Sequence, residues 1–347
     1  MGGPPPAVTA VRTAVRAALA ELGCTAGTPL LVACSGGADS TALALAVAAE
    51  SARSARAAGS ARAAGSGVES SAGSSVQAAG WPVRAAVVDH GLQPDSAARA
   101  EATAALLIDR GVPAEVLRVR VTGRGGMEAA ARRARYAALR AARPSPGSPV
   151  LLGHTLDDQA ETVLLGLGRG SGPRSLAGMS RYDPPWLRPL LGLRRSVTRA
   201  ACAELGVPVW DDPHNADPRF TRVRLRTEVL PLLEDVLAGG VAQALARTAE
   251  QLREDLDVLD GQASDLLAAA RRGGDGADLD VAALAPHPAA LRRRVLRRWL
   301  LDAGVAELTD AHLRAADDLI GRWSGQGAVR LPGAFDLSRT HGTLHVC

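Results

Sequence analysis

Residues 33–43 read ACSGGADSTAL, directly after the start of a short unbroken apolar run, PLLVAC (29–34). Where a buried strand ends in paired glycines and the chain reopens as a helix, the first N–H groups of that helix point outward unpaired and attract anions. Gly36 and Gly37 let the main chain approach a phosphate closely, and Ser35 and Ser40, on either side of Ala38, add hydroxyl donors. The stretch thus predicts a strand, a phosphate cradle and a helix. Asp39 is the unexpected member, because a carboxylate repels phosphate. It serves either as a helix cap or as the ligand of a Mg²⁺ held between it and the phosphates. The chain contains no lysine, so all 40 of its Lys+Arg side chains are arginine, and mechanisms that require a lysine side chain of the protein are excluded.

Outward from this loop, VRAAVVDH (83–90), AEVLRVRV (114–121) and PVLLGH (149–154) are further apolar runs, each leading into a segment of helical character. Strands alternating with helices predict an α/β fold, a doubly wound parallel sheet covered on both faces. A first helix is marked by Val8, Val11, Val15, Leu19 and Leu22 at spacings of three and four. Residues 51–80 have low complexity and no apolar periodicity, and are expected to form a disordered surface loop. Helices are predicted over 194–206 and 220–237. Between 241 and 270, Leu245, Leu252, Leu256, Leu259, Ala263 and Leu266 mark one long amphipathic helix. GGDGAD (273–278) reads as a boundary, after which two arginine-rich helices (289–302, 309–322) precede short strands in AVRLPG, AFDLSRTHG and TLHV. The expected organisation is a nucleotide-binding catalytic domain (1–235), a helical linker (236–275) and a small C-terminal α+β domain (276–347).

The net charge is only +4, but it is unevenly spread. Residues 110–143 carry nine arginines against two acids and residues 169–226 carry eleven against five, whereas 227–270 carry nine acids against two arginines. Two basic blocks suit a polyanionic partner. Cys24, Cys34, Cys202 and Cys347 contain no CxxC pair, so neither a disulfide framework nor a metal cluster is suggested. No apolar run is long enough to span a bilayer and the N-terminus lacks a signal-peptide core, so a cytoplasmic protein without membrane attachment is expected.

In GHTLDDQAET (153–162), Asp158 and Glu161 are three apart on a predicted helix and share a face, next to the strand end that carries His154. Carboxylates at the C-terminal edge of a parallel sheet lie where such folds bind ligands, and two of them suit a cationic amine.

SGGADS resembles the pyrophosphate loop of the PP-loop ATP pyrophosphatases, enzymes of adenine nucleotide α-hydrolase-like fold. VDHGLQPDS (88–96), MEAAARRARY (127–136), GHTLDDQAETVLLGLGRGSGPRSLAGM (153–179) and DPHNADPRFTRVRLR (212–226) each resemble the tRNA(Ile)-lysidine synthetases. The resemblance implies ATP bound by Ser35 to Ser40 together with Asp89 and His90, and Mg²⁺ held by Asp39. It implies free lysine held by Asp158, Glu161 and His154, with Asp39, Arg132 and Asp158 as the catalytic set. Arg169, Arg174, Arg222, Arg224 and Arg226 would follow the backbone of a CAU-anticodon tRNA(Ile).

In that chemistry the O2 of the wobble cytidine attacks the α-phosphorus of ATP and pyrophosphate leaves. The lysine side-chain amine then attacks C2 and AMP leaves. Val223 stands where the family usually has asparagine. A PP-loop tRNA thiolase activates the base identically but needs a reactive cysteine pair or cluster, and a non-catalytic nucleotide sensor would leave Asp158 and Glu161 unexplained. A homodimer is compatible with the sequence, which does not fix the oligomeric state.

Overall fold

In the computed structural model the described residues are 5–65, 80–122, 126–170, 172–212, 216–272 and 277–347. They fall into two compact units, 1–250 and 251–347.

The first unit is built on a six-stranded sheet. Its elements run α1 (Pro6–Glu21), β1 (Leu30–Ala33), α2 (Ala38–Gly65), β2 (Val83–Asp89), α3 (Ser96–Asp109), β3 (Ala114–Arg118), α4 (Met127–Ala141), β4 (Val150–Leu151), α5 (Leu156–Gly168), α6 (Pro173–Leu176), β5 (Tyr182–Asp183), β6 (Trp186–Leu187) and α7 (Arg195–Glu204). The spatial order is β3-β2-β1-β4-β6-β5. All pairs are parallel except β5 on β6. The chain winds from β1 to β3 on one side, then returns to place β4 against the other side of β1. The direction of winding therefore reverses between β1 and β4, and ligands bind in the crevice that such a reversal opens at the carboxyl ends of the strands.

Both faces of the sheet are covered. On one face, Val11, Val15 and Leu19 of α1, Leu43 and Val47 of α2, Leu107 of α3 and Cys202 of α7 pack over Leu30, Val32, Ala85 and Val87. On the other, Leu139 and Tyr136 of α4 pack with Leu31, Ala86, Val150, Leu152 and Trp186. Alternate residues of β1 thus serve opposite faces, as period-two geometry requires. Buried Glu50 on α2 accepts Arg12 and Arg16 of α1 and Arg53 of its own helix at 2.7–2.9 Å, clamping the two helices together.

Three sequence expectations are corrected here. Residues 51–65 continue α2 as helix, because alanine and arginine favour helix intrinsically even without an apolar stripe. Residues 66–79 of that predicted loop lie outside the described residues. Strands β5 and β6 were not anticipated; at two residues each they carry no periodic signal. The helical exit is also irregular, running α8 (Thr221–Arg224), a π-helical segment (Leu225–Val229) and α9 (Leu230–Val236).

The long helix α10 (Val241–Ala270) is as predicted, but it does not stand apart as a linker. Ala242, Leu245 and Ala246 pack with Leu156, Ala160 and Leu230 in the first unit. Ala263, Leu267 and Ala270 belong to the core of the second. The boundary at 250/251 accordingly falls inside α10.

The second unit continues with β7 (Arg271–Arg272), β8 (Asp278–Asp280), α11 (Val281–Leu284), α12 (Ala289–Asp302), α13 (Asp310–Gly321), β9 (Val329–Arg330), β10 (Asp336–Thr340) and β11 (Thr343–Val346). Its antiparallel sheet has the order β7-β8-β11-β10-β9. The predicted α+β character is borne out, with β7 and β8 as strands the sequence did not reveal. Among the described residues no single helix is long and apolar enough to cross a membrane.

Candidate active site

The loop after β1 is braced from inside. Ser40 Oγ accepts the Ser35 N–H at 3.0 Å and donates to the Gly37 carbonyl at 3.1 Å. The buried hydroxyl of Ser40 therefore braces the loop, while Ser35 is exposed. Gly36 has φ +84°, and a Cβ there would sit 2.6 Å from Thr103 Oγ1, so a side chain fits neither the backbone nor the space. A Cβ on Gly153 would meet the backbone of Asp39 and Ser40 at 3.0 Å, so the turn after β4 lies directly against the loop after β1. Both predicted motifs thus meet at the point where the sheet reverses its winding.

Asp39, in the first turn of α2, does not stand free. Its Oδ1 accepts a short hydrogen bond from the Thr198 hydroxyl, and its Oδ2 lies 3.3 Å from Arg195 Nε. Burial raises its pKa, against the lowering influence of Thr198 and Arg195. Mg²⁺ takes one or two carboxylates and completes its shell with phosphate oxygens and water. One carboxylate beside an anion cradle fits that donor set. Among the described residues no group of three or more His, Cys, Asp or Glu side chains could hold a metal by itself.

Asp158 caps its own helix, its Oδ2 accepting the Thr155 N–H at 2.8 Å and the Thr155 hydroxyl at 2.9 Å. Its Oδ1 receives Arg195 Nη2 at 2.6 Å. Burial alone would raise its pKa, but Arg195 and the Thr155 N–H outweigh that and hold it below the usual carboxylate range. Fully buried Glu161 accepts Arg226 through both oxygens, at 2.8 and 3.3 Å, and lies 3.6 Å from Arg195 Nη1. Asp157 accepts the Arg195 backbone N–H at 2.7 Å and pairs with Arg194 at 3.2 Å. Asp158 and Glu161 are thus brought together as the spacing predicts, with two guanidiniums of the chain already on them.

Arg195 was not anticipated. It sits at the start of α7, 156 residues from Asp39, and one guanidinium touches Asp39, Asp158 and Glu161. Nothing in RRSVTRAAC marks it among its arginine neighbours. Arg226 requires a correction as well. It was expected on the nucleic-acid backbone beside Arg222 and Arg224, but it lies in the π-helical segment and turns inward onto Glu161. The wider turn shifts its direction from that of a regular helix. Arg224 is exposed and pairs with Glu228, while Arg222 lines a shallow groove with Glu128, Leu165, Arg169, Phe220 and Thr221. Arg169 and Arg174 are exposed. Val223 is buried, so its side chain packs and makes no polar contact.

The α4 side of the crevice has the opposite character. Arg132 is exposed, donates to the Tyr136 hydroxyl at 3.2 Å and lies 4.9 Å from the centroid of that ring. His154 lies within electrostatic reach of Arg132, Arg135 and Arg188, and burial together with these cations pushes its pKa well down despite nearby Asp158. The imidazole is therefore neutral. His90 is likewise lowered by burial and by Arg135. Asp89 is spent locally: its Oδ1 accepts the Gly91 N–H at 2.9 Å, which lowers its pKa and shapes the turn that presents His90. Cys34 is buried under the loop, and burial pushes the nearby Cys202 thiol up to about 11, so neither is poised to carry sulfur.

Over residues 9–233 the chain matches the PP-loop domain family, and over residues 279–345 the TilS substrate binding domain. It is 61% identical to a tRNA(Ile)-lysidine synthase of Mycolicibacterium paratuberculosis over 77% of this chain and 83% of the relative. Identity is 56% with the tRNA(Ile)-lysidine synthase of Nocardia farcinica (93% and 91% covered) and 54% with that of Rhodococcus jostii (98% and 96%). Among solved structures, the U34-tRNA thiolase NcsA of Methanococcus maripaludis superposes with a TM-score of 0.50 at 16% identity, covering 72% of this chain and 80% of that one, a likeness of fold.

Proposed function

This chain belongs to the tRNA(Ile)-lysidine synthase family, ATP-dependent tRNA-modifying ligases of the PP-loop class, and from that premise we propose how its residues divide the work. The substrates are ATP with Mg²⁺, free lysine, and the wobble cytidine of a CAU-anticodon tRNA(Ile). The phosphates of ATP lie on the N–H groups and hydroxyl of Ser35 to Ser40. Asp39 would hold Mg²⁺, in place of its present contacts to Arg195 and Thr198. When bound, that ion neutralises charge that builds on the departing pyrophosphate.

Attack of cytidine O2 on the α-phosphorus breaks the bond to pyrophosphate and forms the adenylated base. The side-chain amine of lysine then forms the bond to C2, and AMP leaves with the electrons of the C2–O2 bond. Asp158 and Glu161 receive that amine as an ammonium, and one of these carboxylates takes the proton it must lose before attack. Neutral His154 stands beside them, able to donate one hydrogen bond and accept another. Arg132 lies on the α4 side, where negative charge develops. Arg169, Arg174, Arg222 and Arg224 follow the tRNA backbone, and the second unit adds contacts of its own.

The observation that carries this reading is the contact of two chemically distinct half-sites, an anion cradle and a buried carboxylate pair, across the Gly153 turn. Incubation with ATP, labelled lysine and a CAU transcript, followed by nucleoside mass spectrometry, tests it. Lysine joined to the wobble cytidine is expected. Sulfur uptake, or ATP cleavage with no base product, contradicts it.

A further inference from the structure

Arg135 carries one of the buried unpartnered nitrogens of the first unit. It projects from α4, whose neighbouring residues Tyr136 and Leu139 pack against Trp186 and the sheet. Its Nε is buried without an acceptor, and among the described residues the guanidinium makes no hydrogen bond or ion pair. One ring, that of Tyr136, lies 5.6 Å away. Arg135 as a whole is half-buried, but a buried guanidinium nitrogen without a partner opposes folding, and a cation–π contact offsets little of that.

Arg135 is not an isolated defect. Three other side chains close by, buried Arg188 and half-buried His90 and His154, each carry a buried unpartnered nitrogen: His90 Nδ1, His154 Nδ1 and Arg188 Nε. Arg188 is 6% exposed, and only its Nη1 is engaged, on the Ser180 carbonyl at 2.8 Å. His90 follows β2, His154 follows β4 and Arg188 follows β6, so three strand ends and the helix covering them bring four unpartnered nitrogens to the carboxyl edge of the sheet. Among the described residues no carboxylate lies within ion-pair distance of Arg135 or Arg188, in a chain that pairs most of its other half-buried arginines. Four buried orphan nitrogens near one another, two of them on positive side chains with no carboxylate partner and two on imidazoles that can present an N–H, describe a receptor for a compact oxyanion.

We propose that Arg135, Arg188, His90 and His154 form a phosphoryl-binding pocket on the α4 side of the crevice, separate from the glycine loop on the α2 side. Its ligand is a tetrahedral phosphate group, supplied either by the nucleotide or by the backbone of the RNA substrate. The inference shares His154 with the proposed amine site and rests on that reading for this residue, while Arg135 and Arg188 carry it independently.

Thermal unfolding of the full chain in phosphate-free buffer, titrated with inorganic phosphate and with sodium chloride of equal ionic strength as control, tests the pocket. Wild type is expected to melt higher with phosphate in a saturable manner. Arg135→Met should melt close to wild type without phosphate, since no ion pair is lost, and its midpoint phosphate concentration should rise about tenfold. Arg188→Gln should shift the midpoint in the same direction. Binding at the glycine loop is common to all three proteins, so the difference between them reports the pocket. Repetition with a non-hydrolysable ATP analogue and Mg²⁺ identifies the source: a wild-type response abolished by the analogue assigns the pocket to a nucleotide phosphate, and a response that survives assigns it to the RNA backbone. The proposal is overturned if phosphate leaves the wild-type melting temperature unchanged, or if both variants respond as wild type does.

Discussion

Replacing Arg195 with alanine tests the electrostatic arrangement of the site in one step. The guanidinium lies 2.6 Å from Asp158, 3.3 Å from Asp39 and 3.6 Å from Glu161. Without it, Arg226 is the one cation still paired with these two acids among the described residues, held to Glu161 and 3.9 Å from Asp158. Removing one partner of a buried ion pair costs about 3–5 kcal/mol. The Arg195 side chain is 19% exposed, so water can enter the gap and the lower figure applies, about 3 kcal/mol. For a unit of this size that corresponds to roughly 6–12 °C in melting temperature. The space left is shaped for a cation, so millimolar guanidinium should restore part of the loss. Free lysine should raise the melting temperature of Arg195→Ala more than that of wild type. Differential scanning fluorimetry reads all three quantities. A variant that melts with wild type, or one that is destabilised but indifferent to both cations, would refute the view that Arg195 occupies the amine-binding acids.

The remaining expectations concern the loop, the helix clamp and the RNA face. Gly36→Val should weaken ATP binding at least tenfold by equilibrium dialysis, because the backbone is left-handed there and Thr103 fills the space; unchanged affinity would show that the loop can relax. Glu50 has its pKa lowered to about 2, since hydrogen bonds from Arg16, Arg53 and Arg12 outweigh burial. A depressed carboxylate stabilises the fold fully above its ordinary value and loses that contribution as pH falls through the folded one. About 3 kcal/mol should therefore disappear between pH 4.5 and 2, and Glu50→Gln should flatten that part of the acid-unfolding curve. Arg169→Ala should lower the slope of log tRNA affinity against log salt by about one without affecting ATP binding, and an unchanged slope would remove Arg169 from the RNA contact set.

How much of this was legible in the sequence depends on how local the cause is. The β1 loop was readable because the glycines, the hydroxyls and the preceding apolar run lie within about a dozen residues. Asp158 and Glu161 were readable because one helical turn brings them together. The helices 241–270 and 289–302 follow from periodicity and match α10 and α12. The failures have long-range causes. No pattern distinguishes Arg195 from Arg194, or Arg135 from Arg132, because what sets them apart is the element packed against them from far away in the chain. Arg226 looked like its neighbours until the π-helical turn redirected it. The segment 51–65 misled in another way, since a missing apolar stripe does not forbid a helix in residues that favour one intrinsically.

The central claim is that one pair of acids serves the amine and a separate loop serves ATP. Asp158→Asn tests it most directly, because the amide oxygen can still accept from the Thr155 N–H and keep the helix cap. Single-turnover reactions with ATP labelled in the α-phosphate, a CAU transcript and lysine should show adenylated tRNA forming at close to the wild-type rate and then accumulating. Its conversion to lysidine and AMP should be slowed about a hundredfold or more, the effect expected when a positioned charge partner is lost. Equal slowing of both steps, or no slowing of the second, would contradict the division between the two half-sites.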